Sequence, residues 1–212
     1  MMSYQFRYKA GDTPVSAKYT SFVEELTTSL ASSSVVTNES DYNALLKQID
    51  AVIVKNAGAF SDPTPVFDRE MADIAHNPSE AFPDPMIVPV VWGGVVHKFI
   101  DVEGQYEKEK TKHVQKLLVI QKRGILGFEI HKEKYEHLDV VDGVCLFIHS
   151  IHTSKDWKEG QVFLTLAEKG ASTTLLPGDE HGMIALSNTV VKETSSYHLK
   201  DLIFLFNSEQ VI

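Results

Sequence analysis

From Met86 onward the chain is a succession of short β-branched runs, and this pattern narrows its folds more than any other feature. The runs read IVPVVW, GVVHKFIDV, KHVQKLLVIQ, GFEIHK, LDVV, VCLFIHSIH, QVFLTLA, STTLL, MIALS and LIFLF, separated by Gly, Asp, Lys and Glu. Branched and aromatic side chains suit a pleated surface. Strands recurring every ~8–12 residues predict an all-β sandwich or barrel.

The first 85 residues have a different texture. Tyr4, Phe6 and Tyr8 alternate as in a short strand. Thr13-Pro14 reads as a helix start, followed at spacings of three and four by Tyr19, Phe22, Val23, Leu26 and Leu30, with a break at Ser32–Ser34. Asn38 or Ser40 caps a second helix carrying Tyr42, Leu45, Leu46, Ile49, Val52 and Ile53, although its AVIVKN end also fits a strand. Pro65 opens a third, with Phe67, Met71 and Ile74 inward and Asn77-Pro78 closing it. The expected organisation is an N-terminal helical extension, residues 1–85, and a β domain, residues 86–212.

Charge and composition exclude several classes. The formal charge is −9, the opposite of a nucleic-acid binder's balance. The densest basic run, Lys108 to Lys116, is interleaved with Glu107 and Glu109 and reads as a solvated loop. A single cysteine, Cys145, forms no intramolecular disulfide and sits in an apolar run as a buried thiol. There is no signal-peptide core and no apolar run of membrane-spanning length, so the expected location is cytoplasmic, with no membrane partner.

Chemistry concentrates between Gly124 and Gly143, GILGFEIHKEKYEHLDVVDG. On a strand, Glu129, His131 and Glu133 share one face, and Glu136 rejoins it if the strand bends. Downstream, Pro177-Gly178-Asp179 sets a turn from which His181 projects inward. Imidazole plus carboxylate suits a divalent transition metal (Zn, Fe, Mn, Co or Ni), and open coordination positions are left for substrate. Glu129, His131, Glu136 and His181 are the expected ligands. Glu129 and Glu133 compete for one place, and the loser is free to act as a base. Lys134 is a second candidate base, provided that burial lowers its pKa. His149 is a candidate supporting residue beside the ligands, and Tyr135 and Trp157 are candidate pocket walls.

These residues resemble the cupin superfamily over about residues 88–206. His131-x4-Glu136-x6-Gly143 matches the second half of the first cupin motif, G-x5-H-x-H-x(3,4)-E-x6-G. Glu129 stands where the first histidine is usual. The second motif reads Gly170-x6-Pro177-Gly178-Asp179-x-His181, one residue longer than the family's, with Asp179 at the usual Gly and Asn188 farther on. The resemblance implies a mainly β fold, a cupin double-stranded β-helix (jelly-roll barrel) with the helices as an extension. Glu129-x-His131 before Glu136-His137, together with Trp92-Gly93, is similar to cupin-type mannose-6-phosphate isomerases, and Lys134 is placed as in cupin-type lyxose isomerases. This implies a metal-dependent aldose–ketose isomerase acting on a sugar or sugar phosphate. The scattered cations Lys122, Arg123, Lys132 and Lys192 form no phosphate cradle. A non-haem iron dioxygenase and a non-catalytic small-molecule binder are the alternative classes.

If Glu129 and His131 face inward, Phe128 and Ile130 face outward and need cover. Either the helices or a second copy supplies it, and the resemblance implies a homodimer.

Overall fold

The computed structural model describes residues 3–32, 35–76, 81–82, 84–85, 87–101, 113–198, 201–206 and 209–212. Ser33 and Ser34 of the expected helix break, Asn77-Pro78 and most of the Lys108–Lys116 run lie outside the described residues.

The strands form two facing sheets. The first contains, in spatial order, β15 (Leu202–Phe206), β8 (Gly124–His131), β13 (Glu180–Ala185), β10 (Val144–Ser150), β11 (Gln161–Glu168), β1 (Tyr4–Tyr8) and β2 (Val35–Val36), with β16 (Gln210–Val211) also on β8. The second contains β12 (Ser172–Leu175), β9 (Glu136–Asp142), β14 (Thr189–Ser196), β7 (His113–Ile120), β6 (Gly93–Asp101) and β5 (Ile87–Val90). A small hairpin of β3 (Ala81–Phe82) and β4 (Asp84–Pro85) precedes β5. From β7 to β10, and again from β11 to β15, successive strands alternate between the sheets. That alternation winds the chain into the jelly-roll barrel. Among the described residues no helix is long and apolar enough to cross a membrane.

Strand alternation divides the apolar residues among three cores, one inside the barrel and one on the outer face of each sheet. Leu118, Ile120, Leu138, Val140, Phe147, Met183 and Val191 point between the sheets and fill the lower barrel. Leu146, Ile148, Val162, Leu164 and Ile184 point outward from the first sheet. There α1 (Thr20–Ser32) and α2 (Glu39–Lys55) cover them with Phe22, Leu26, Leu30, Tyr42, Leu46, Ile49 and Ile53. The third helix, α3 (Pro65–His76), sets Phe67 and Ile74 on Val96, Val119 and Val190 of the second sheet. Each large side chain so buried contributes about 1.5–3 kcal/mol.

The helix starts have local causes. Asn38 Oδ1 accepts from the Asp41 amide at 3.0 Å while Asp41 Oδ2 accepts from the Thr37 amide at 3.0 Å, so α2 is capped reciprocally and the AVIVKN stretch stays helical to Lys55. The first helix does not start at Thr13-Pro14. Ser16 caps a short 3-10 turn, Ala17–Tyr19, and its own amide donates to Glu168 Oε1 at 2.7 Å on the barrel, so a tertiary contact sets the start. The N-terminal strand belongs to the barrel's own sheet: β1 pairs in parallel with β11, Phe6 opposite Val162.

Candidate metal centre

The site lies at the polar end of the barrel, and a β-bulge places its first donor. Between β13 and β8, His181 is opposite Glu129 and Met183 is opposite Leu126, so β8 carries one extra residue at Gly127–Phe128. The bulge puts Leu126 and Glu129 on the same inward face, which strict alternation forbids. It also turns Phe128 outward, where it is fully buried against Tyr4, Phe6, Tyr42 and Phe206 at ring separations of 5.5–6.1 Å. Strands β1 and β15 together with α2 thus supply the cover that Phe128 needs.

Glu129 and His131 come from β8 and His181 from the start of β13. One donor atom from each lies within 4.8 Å of the others. His131 Nδ1 lies 3.0 Å from the Asp201 carbonyl and His181 Nδ1 lies 3.2 Å from the Asp179 carbonyl. A carbonyl oxygen only accepts, so both Nδ1 atoms carry the proton and both Nε2 atoms face the cavity. Glu129 Oε1 stands 3.5 Å from His131 Nε2 and 3.4 Å from His181 Nε2. His131 Nε2 is buried without a hydrogen-bond partner among the protein atoms. An orphaned buried nitrogen facing a second imidazole and a carboxylate is what a divalent transition metal would satisfy, so the donor set fits one.

Glu136 arrives from the other side. The sequence reading returned it to the same strand face, but β8 ends at His131 and the chain crosses to the second sheet, where Glu136 opens β9 and points back. Its Oε2 lies 2.9 Å from His181 Nε2 and its Oε1 3.5 Å from His131 Nε2. Oε1 is also paired with the ammonium of Lys134.

The charges reinforce one another. Burial opposes ionisation of Glu129, yet the two histidines more than offset this and hold its pKa down at about 2. Burial likewise opposes a charge on His181, but Glu136 and Glu129 push its pKa up to about 10. Glu136 is held well below the usual carboxylate range, with Lys134 and His181 outweighing burial.

The two candidate bases are placed differently from expectation. After His131 the chain turns, so Glu133 leaves the inward face; its side chain is 72% exposed and pairs with His198 at 3.3 Å. Lys134 is inside the cavity. Burial would lower its pKa, but Glu193 and Glu136 raise it, so it is a held ammonium rather than a base.

The cavity has a volume of about 250 Å³. Trp92, Leu118, Leu126, Leu138 and Met183 form its apolar part, and Lys116, Glu193, Ser195 and Glu209 join the donors in its polar part. Tyr135 and Trp157 are not among its walls. His149 is opposite His181 in the β10–β13 register but bonds Thr165 Oγ1 at 2.9 Å and lines a separate cleft. His137 faces away, between Thr174 Oγ1 and Asp139. Lys116, read from sequence as the end of a solvated basic loop, instead sits on β7 and lines the cavity, and sequence reasoning missed Glu193 and Glu209. Neither strand run marks Lys116 or Glu193: Lys116 follows Gln115 in HVQKLLVI, and Glu193 follows Lys192 in TVVKETSS.

No family model matches the sequence, and no curated protein does. Among solved structures, the chain is similar to oxalate decarboxylase from Bacillus subtilis, at 14% identity and a TM-score of 0.45 over 61% of this chain and 32% of that one. It is similar to KdgF from Halomonas sp., at 13% identity and 0.40 over 60% and 91% of the two chains. It is also similar to an oxalate oxidase in complex with the substrate analogue glycolate, at 16% identity and 0.38 over 52% and 55%. The match thus spans about half of the oxidase and a third of the decarboxylase. Likenesses this remote assign neither substrate nor reaction. By its own strand order the chain is a mainly β jelly-roll barrel, with a Glu–His–His donor set at one end.

Proposed function

We propose that the chain is a metal-dependent enzyme acting on a small polyhydroxylated substrate of the sugar class, as an aldose–ketose isomerase. The observation that carries this reading is a single one. Three metal donors, Glu129, His131 and His181, face the buried Glu136–Lys134 pair inside one small cavity.

Glu129, His131 and His181 would hold a divalent ion, which when bound would supply Lewis-acid polarisation of the substrate carbonyl. Glu136, the fourth donor expected from sequence, is here the proton carrier: it takes the proton from the hydroxyl-bearing carbon beside the carbonyl and returns it to the former carbonyl carbon, while that hydroxyl's own proton passes to the former carbonyl oxygen. The Lys134 ammonium donates hydrogen bonds to the substrate oxygen on which negative charge develops. Trp92, Leu126, Leu138 and Met183 keep bulk water from the intermediate. A cytoplasmic homodimer belongs to the same proposal. The edge strand β15 exposes Leu202 and Ile203, which a second copy would cover.

The test is metal-loaded protein incubated with a panel of aldoses in D2O and followed by proton NMR. Interconversion with deuterium entering beside the carbonyl is expected. Oxygen consumption without interconversion would make the protein an oxygenase, and binding with neither would make it a non-catalytic barrel.

A further inference from the structure

The wall facing the metal donors is a continuous chain of charges, running from Lys116 to His181. Lys116 on β7 is directly opposite Glu193 on β14, and its Nζ is 3.0 Å from Glu193 Oε2. Glu193 Oε1 is 3.0 Å from Lys134 Nζ. Lys134 continues to Glu136, whose other oxygen reaches His181 at 2.9 Å. The Glu193 and Glu136 side chains are only 4% and 5% exposed. Among the described residues, both lysines that line the cavity are members of this chain.

We infer that the cavity selects an uncharged polyhydroxylated molecule over its phosphorylated or carboxylated counterpart, and that Glu193 sets this selection. The inference rests on the sugar-class reading above and narrows it. The described lining contains four carboxylates, Glu129, Glu136, Glu193 and Glu209, and two ammonium groups, Lys116 and Lys134. One divalent cation neutralises that excess of two negative charges. An entering anion must pull an ammonium away from a buried carboxylate and then sit beside that carboxylate in a poorly screened site. Hydroxyl groups both donate and accept, so they bind the same wall with every pair left intact. Glu193 is the member shared by both lysines. Replacing it with glutamine leaves two ammonium groups without their common counter-ion and makes the loaded cavity cationic.

The experiment is calorimetric titration of the metal-loaded full chain with D-mannose and D-fructose, each against its 6-phosphate, with inorganic phosphate as a control for direct contact with the metal. For the native chain, at least one free sugar is expected to bind about 10-fold or more tightly than its phosphate. Glu193→Gln is expected to erase or reverse that ratio, and Lys116→Gln, which removes a positive charge, to widen it. If Glu193→Gln fails to fold, the native ratio and Lys116→Gln decide. A sugar phosphate that binds the native chain as tightly as the free sugar overturns the selection but leaves the sugar reading standing. No binding of any sugar overturns both.

Discussion

A buried histidine must account for two nitrogens. His131 and His181 account for one each with a backbone carbonyl, and that common choice aims both Nε2 atoms at one point. In the metal-free chain His181 occupies that point as a cation between Glu129 and Glu136, which gives a pH dependence with a definite sign. Its folded pKa of about 10 exceeds the ordinary 6.5, so the stability it contributes is full below pH 6.5 and is lost as pH rises through 10. Glu129, held at about 2 against an ordinary 4.5, contributes stability above pH 4.5 that is lost as pH falls through 2. Chelator-treated protein is therefore expected to be most stable between pH 4.5 and 6.5 in denaturant titrations, with stability falling toward pH 10. A flat profile above pH 6.5 would contradict the His181 pairing. Metal competes with that proton, so its affinity rises over the same range. At this scale the sequence was legible where spacing carried the information: Glu129, His131 and His181 stand out as polar residues at motif distances. Glu193 and Lys116 did not, because what makes them matter is a cross-strand pair between distant segments.

The strands were legible from branched runs and the helices from spacing, but the bulge in β8 was not. Gly127 interrupts GILGFEIH with no other mark, and an isolated strand glycine is the only sequence signal for such a feature. The bulge depends on close backbone approach from its partner: a Cβ at Gly182 would stand 2.8 Å from the Gly127 carbonyl oxygen. Gly182→Ala must push β13 away from β8, so it is expected to cost about 1–3 kcal/mol and to weaken metal binding, since Glu129 and His181 face each other across that step. Thermal unfolding and metal titration check both parts. A variant with native stability and affinity would mean that the bulge does not position Glu129. Helix starts were legible where the cap is local, as at Asn38, and illegible at Ser16, where the start is set by Glu168 on a distant strand.

For the molecule as a whole, the division of labour is between cover and site. Two helices bury the outer face of one sheet and α3 buries that of the other, so the barrel's interior is released from supplying all the apolar burial and opens at one end into a polar cavity. The β domain was readable as a barrel because its runs are short and evenly spaced. The integration of β1 was not, because parallel pairing with β11 leaves no local signature. Everything functional then turns on whether Glu129, His131 and His181 hold a metal. The direct measurement is elemental analysis of the purified chain beside Glu129→Ala, His181→Ala and Glu133→Ala, followed by titration of the stripped proteins with Zn, Mn, Fe(II), Co and Ni. The expected result is about one divalent ion per native chain. Glu133→Ala should retain it, and the other two variants should lose on the order of 100-fold in affinity, no less than the upper range for removing a supporting residue. Native metal content in Glu129→Ala and His181→Ala, or loss confined to Glu133→Ala, would contradict the site.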